Sequence, residues 1–187
     1  EIHDRLAHMG GLVGNVTTAQ TVSLDLSTLG ATNNISKRIG DTNYSDVQWW
    51  LEWYTATGAT AVTVTVNVTY NDGTTGALAS ASLAAGRPAS FMLSLNVLIP
   101  AAASGKYIRA VNTVTLSATT GTAGSFGVTA TRPRMTLAAP IANMKFVADW
   151  AQLGFPEIFN ESCLFPIVLT STTSTGTVRG GGKISHG

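Results

Sequence analysis

The sequence predicts an all-β protein, an antiparallel β-sandwich of jelly-roll-like kind with one short helix near the C-terminal third. Three observations predict it. Val62 to Tyr70 alternates valine with threonine or asparagine at strict period two, the pattern of a half-buried antiparallel strand. Asn71-Asp72-Gly73 follows at once, and Asp-Gly supplies the positive φ angles of a tight hairpin turn. β-branched Thr and Val dominate elsewhere, in short runs between turn residues, which suits pleated surfaces and lowers helix propensity.

Residues 1–15 read as an N-terminal arm, with Gly10-Gly11 as a bend, ahead of a single sandwich domain over 16–187. The first strand spans Val16 to Leu26, with Val22, Leu24 and Leu26 against Thr21, Ser23 and Asp25. Val47 to Tyr54 alternates too, with aromatics on both faces. After the hairpin, Thr74 to Leu83 is the return strand. Phe91, Leu93, Leu95 and Val97 mark the next, closed by Pro100 and the small-residue loop Ala101 to Gly105. Tyr107 to Ala118 carries Val114, Leu116 and Ala118 in alternation, and Phe126, Val128 and Ala130 follow the turn Thr120 to Gly124. A helix is expected over Asn143 to Leu153, where Met144, Val147 and Ala151 form one stripe and Gly154 can end it. Leu164 to Thr170 and Thr177 to Ser185 make the final pair of strands. Eight to ten strands between turn signals is the pattern of a sandwich or jelly roll.

The 187 residues suit one well-cored domain, and 44% hydrophobic residues supply the core. Only 11% are charged, where soluble domains carry roughly a quarter. A surface of Thr, Ser, Asn, Ala and Gly sheds its water at little cost when a partner docks, so composition favours an assembly component over a freely diffusing enzyme. The net charge of +1 argues against nucleic acid as the main partner, because phosphate binding needs a surplus of Lys and Arg. Arg132 and Arg134, flanking Pro133, read as a solvated loop. Cys163 is the only cysteine, so no internal disulfide forms; its place beside Leu164-Phe165 reads as a buried small hydrophobe. No stretch approaches the roughly 20 apolar residues of a membrane span, and Glu1 to Arg5 lacks the apolar region of a signal peptide.

Chemistry is sparse. The histidines are His3, His8 and His186, all near a terminus, where rigid preorganised settings are rare; exposed terminal histidines are the expectation. His3, His8 and Asp4 fit no zinc spacing. Glu52, Glu157 and Glu161 propose no glycosidase pair. Gly180-Gly181-Gly182-Lys183 lacks the spacing of a phosphate loop. No catalytic, cofactor or metal residue is assigned. The Asn-x-Ser/Thr triplets at Asn15, Asn34, Asn67 and Asn160 follow from Thr-rich composition.

The aromatic cluster has energetic weight. Trp49, Trp50 and Trp53 are three of the four tryptophans, and Tyr54 adjoins them. On a strand, Trp49, Leu51 and Trp53 share one face, and Trp50, Glu52 and Tyr54 the other. One face is core. Aromatics on the other are buried under a loop, anchor a subunit interface, or stack on sugar rings.

Several segments together resemble small structural proteins of tailed bacteriophages and prophages. They include Ile2-His3-Asp4-Arg5-Leu6-Ala7-His8, Val47 to Tyr54, Val68 to Gly76, Leu116 to Gly124 and Thr170 to Gly176. Within that group the chain resembles capsid decoration (cement) proteins. The resemblance implies a non-enzymatic virion protein, assembled in the host cytoplasm, that forms a homo-oligomer, a trimer by analogy. It would bind the major capsid protein or other virion subunits and brace the shell. It implies no cofactor and carries no catalytic residues. The expected interface takes Ile2, Leu6 and Met9 from the arm and Trp50 and Tyr54 from the aromatic strand. The alternative is a carbohydrate-binding or adhesive module of a tail or head fibre, with Trp50 and Tyr54 as its stacking platform.

Overall fold

The computed structural model describes residues 1–30, 34–121, 124–137, 147–154 and 157–168. It has an all-β fold of two antiparallel sheets packed face to face. The strands are β1 (Ile2–Val13), β2 (Gln20–Asp25), β3 (Gln48–Trp53), β4 (Val62–Tyr70), β5 (Thr75–Ala77), β6 (Ala81–Leu83), β7 (Met92–Ser94), β8 (Ile108–Leu116), β9 (Ser125–Met135) and β10 (Leu164–Pro166). Two four-residue helices, α1 (Ile35–Arg38) and α2 (Trp150–Leu153), interrupt them. The first sheet has the order β10-β1-β9-β3-β7; the second runs β2-β8-β4-β5, with β6 also on β4.

The alternation in β4 holds. Val62, Val64, Val66 and Val68 are buried, while Thr63 and Asn67 are exposed. Gly73 takes φ 83° in the loop that follows, and Tyr70 N–H donates to Thr74 O at 2.8 Å across it. The return strand divides. β5 pairs with Asn67 to Thr69 and β6 with Val62 to Val64. Between them the backbone N–H of Ala79 turns to the carbonyl of Leu98, which breaks the ladder.

Trp49, Leu51 and Trp53 on β3 are fully buried and face the second sheet. Trp53 stacks on Phe126 of β9 at 5.1 Å and 14°, an arrangement that adds about 0.5–1.5 kcal/mol to the burial itself.

The largest departure from the sequence reading is the N-terminus. Residues expected as an arm form β1, an interior strand between β9 and β10. Its alternation is hidden by the extra residues it carries between Arg5 and Ala7 and between Met9 and Leu12, each of which moves the following side chains to the other face; the shift at Ile2/His3 places its extra residue, Arg134, in β9. β2 is shorter than expected and bulged between Thr21 and Leu24, with Ser23 at φ 53°. Instead of continuing from Phe91 to Val97, β7 stops at Ser94 and a 3-10 turn begins at Asn96. β9 runs past Ala130 through Pro133 to Met135, so Arg132 and Arg134 lie on a strand and not in a solvated loop. Of the expected helix only Trp150–Leu153 is seen as α2, and residues 143–146 lie outside the described residues, as do the strand Thr177 to Ser185 and His186. Among the described residues no helix is long and apolar enough to cross a membrane.

Candidate functional site on the outer face of the first sheet

The face of the first sheet turned away from the core carries polar contacts in rows across β1, β9 and β3. In one row, His3 Nδ1 lies 3.1 Å from Thr131 Oγ1, which also accepts from Trp50 Nε1 at 3.0 Å. In the next, His8 Nδ1 lies 2.7 Å from Thr129 Oγ1, and Thr129 donates to Glu52 Oε2 at 2.7 Å. Arg5 completes this row, with Nη2 at 3.0 and 3.1 Å from the two Glu52 oxygens. Thr129 has one hydroxyl hydrogen and gives it to Glu52, so its oxygen accepts from His8 Nδ1–H. That leaves Nε2 of His8 as the acceptor for Tyr54 O–H, at 2.8 Å.

The bulge between Arg5 and Ala7 makes this possible. His3 and His8 are an odd number of residues apart, and regular alternation would place them on opposite faces. Thr129 and Thr131 oppose the core residues Val128 and Ala130 by simple alternation.

Burial governs the titration of the site. It pushes the His3 imidazole below its ordinary value, against the opposing pull of Glu1 at 2.9 Å. His8 is lowered by burial and then by the Arg5 charge, while Glu52 opposes. Burial, followed by the Glu52 charge, pushes the Tyr54 phenol up to about 12. Thr129, His8 and Glu52 have the residue types of a nucleophile, base and acid. Their hydrogen bonds run the wrong way for that chemistry: His8 donates to Thr129, and the threonine is fully buried. The arrangement positions side chains and does not activate one.

The five expected interface residues separate. Tyr54 is exposed at 37%, while Trp50 keeps 8% and is held edge-on to His3. Leu6 is in the core at 6%, because the strand turns it toward the second sheet. Met9 is half-buried against the same core, and Ile2 is half-buried between Pro166 and Met135. His3, expected as exposed, is fully buried, because β1 is an interior strand. Cys163, expected as buried, is exposed; its backbone and not its side chain is engaged, with N–H on Asp4 and carbonyl on Arg5 N–H.

Two hollows flank Trp50 on this face. One, of about 540 Å³, is lined by Phe91, Met92, Phe165, Ile167 and Val168 with Glu52. The other meets Val97, Pro133, Asp46 and Gln48. Among the described residues no group of three His, Cys, Asp or Glu side chains is placed to hold a metal. No family model, curated protein or solved structure matches the chain.

Proposed function

We propose that the chain is a structural protein of a repeated assembly, of the decoration or cement kind on a virion shell, acting as a homo-oligomer against a shell subunit. The observation that supports this most is how its few charges are spent. Among the described residues, five of the ten acidic side chains pair with Arg or Lys of the same chain: Asp4 with Arg38, Asp25 with Arg109, Asp46 with Arg132, Glu52 with Arg5 and Asp72 with Lys106. A surface already poor in charge is therefore more neutral than composition suggests. Docking such a surface strips few strongly hydrated ions, and many modest contacts repeated over a shell sum to firm attachment.

The sugar-binding alternative has less support, because a stacking platform needs open ring faces and Trp50 keeps only 8% of its surface. Light scattering over a range of concentrations tests the proposal. A stable oligomer, a trimer by analogy, is expected, and it should co-sediment with empty shells of a phage carrying this sequence. A monomer at every concentration that stays in the supernatant would overturn it.

A further inference from the structure

Three arginines meet at one end of the first sheet: Arg38 of α1, and Arg132 and Arg134 of β9. Two are matched by carboxylates. Arg38 forks onto Asp4 at 2.6 and 3.0 Å, and Arg132 reaches Asp46 at 3.1 Å. Arg134 differs. Among the described residues its hydrogen-bond partner is the carbonyl oxygen of Glu157, to which Nη2 donates, and no carboxylate pairs with it. Its Nε is buried without an acceptor, and the residue keeps 7% of its surface. Other arginines with an unbonded Nε are compensated: Arg5 by Glu52, Arg109 by Asp25, and Arg87 by the ring of Phe91 at 4.8 Å.

The described residues around Arg134 offer it no further acceptor. Burial, then Arg132 and more weakly Arg38, disfavour its charge, and Asp4 is the one group that favours it. Asp4 is already saturated: its two oxygens accept two bonds from Arg38, one from the Ser162 hydroxyl and one from Cys163 N–H. A guanidinium does not give up its proton in a protein, so the charge persists where the chain does not match it.

We propose that Arg134 is a receiving site for an oxyanion, in the assembled state a carboxylate presented by a neighbouring subunit. Arg134 lies near the end of β9, and Thr136 and Leu137 just beyond it are exposed. The planar fork takes a carboxylate or a phosphate through the same paired bonds, so a subunit's side chain and a free anion share this chemistry. The inference rests on the assembly reading only for the source of the anion.

The experiment compares thermal unfolding of wild type, Arg134→Met and Arg134→Lys in inorganic phosphate and in chloride at equal ionic strength. Phosphate also stabilises proteins in general, so the readout is the difference between variants. At about tenfold excess over its dissociation constant, phosphate is expected to raise the wild-type Tm by about 3–6 °C more than that of Arg134→Met. Arg134→Met should fold, because replacing an unmatched buried cation by an apolar chain leaves stability unchanged or improves it. Arg134→Lys keeps the charge without the fork and should show a reduced response; should Arg134→Met fail to fold, this comparison decides. Equal phosphate responses in wild type and variant overturn the site. Light scattering then separates the sources. Phosphate that lowers the oligomer mass supports a subunit carboxylate, and a Tm response with unchanged mass overturns that source in favour of a free anion. A chain that is monomeric throughout defeats the assembly reading, while the Tm comparison still decides the site.

Discussion

The hydroxyl of Tyr54 lies 2.8 Å from Nε2 of His8, although β9 separates the strands that carry them. Tyr54 crosses β9 at Gly127, where an added Cβ would fall inside contact distance of the phenol oxygen and of the Met9 carbonyl. Gly10 lies under the same ring, its Cβ position 3.4 Å from the hydroxyl. Two glycines thus leave the gap through which an aromatic side chain ties three strands together.

Gly127→Ala is therefore expected to destabilise the fold by about 1–3 kcal/mol, at the upper end because the Met9 carbonyl is backbone and cannot swing aside. Adding Tyr54→Ala should recover only part of the loss. Urea denaturation of the single and double variants measures both. Tyr54→Phe alone removes one hydrogen bond, costs about 1 kcal/mol and leaves the ring in place.

Acid should weaken the fold through the histidines. His3 and His8 titrate lower in the folded chain than the 6.5 of a free imidazole. Between the folded value and 6.5 the unfolded chain binds more protons, so lowering the pH pulls the equilibrium toward it. This contribution is fully present above about pH 7, falls as the pH drops through 6.5, and is lost once the pH passes below the folded values. Urea midpoints between about pH 8 and pH 5 should show the decline, and a His3→Gln/His8→Gln double variant should flatten it.

Asp4 and Arg38 are almost wholly buried, with 0% and 2% of their side chains exposed. Removing one partner strands the other charge, so Asp4→Asn is expected to cost about 3–5 kcal/mol. Because Ser162 and Cys163 also bond Asp4, the same change should loosen β10 from β1. Hydrogen exchange at the Arg5 amide, which donates to the Cys163 carbonyl at 2.9 Å, reports that release.

Trp50→Ala should cost about 3–5 kcal/mol, because a nearly buried ring and its bond to Thr131 are both lost. A loss of association in that variant would then report on folding. Tyr54→Ala, on an exposed ring, is the cleaner probe of a docking surface, and thermal unfolding of the two variants distinguishes these effects.

Periodicity made β4, its hairpin turn and the alternation of β3 legible, because each residue of those two strands advances one step along its own strand, the bulges beside β4 falling in β8. A pattern with aromatics on both sides leaves open which face of β3 is core. Periodicity failed on β1, where two bulges scramble the alternation, and so it also missed His3, Arg5 and His8 as parts of one face. Thr129 and Thr131 could have been found from Val128 and Ala130. Their partners could not, because they come from two other strands.

By itself, then, the sequence determined an all-β chain with apolar faces on alternating strands and a surface poor in charge, since these follow from local pattern and composition. Only the tertiary structure decided that the N-terminus is an interior strand, that Trp50 is covered while Tyr54 is open, and that Arg134 is buried without a carboxylate. Each of these depends on register between strands distant in sequence. A single bulge exchanges the two faces of a strand without leaving a sign in the residues on either side.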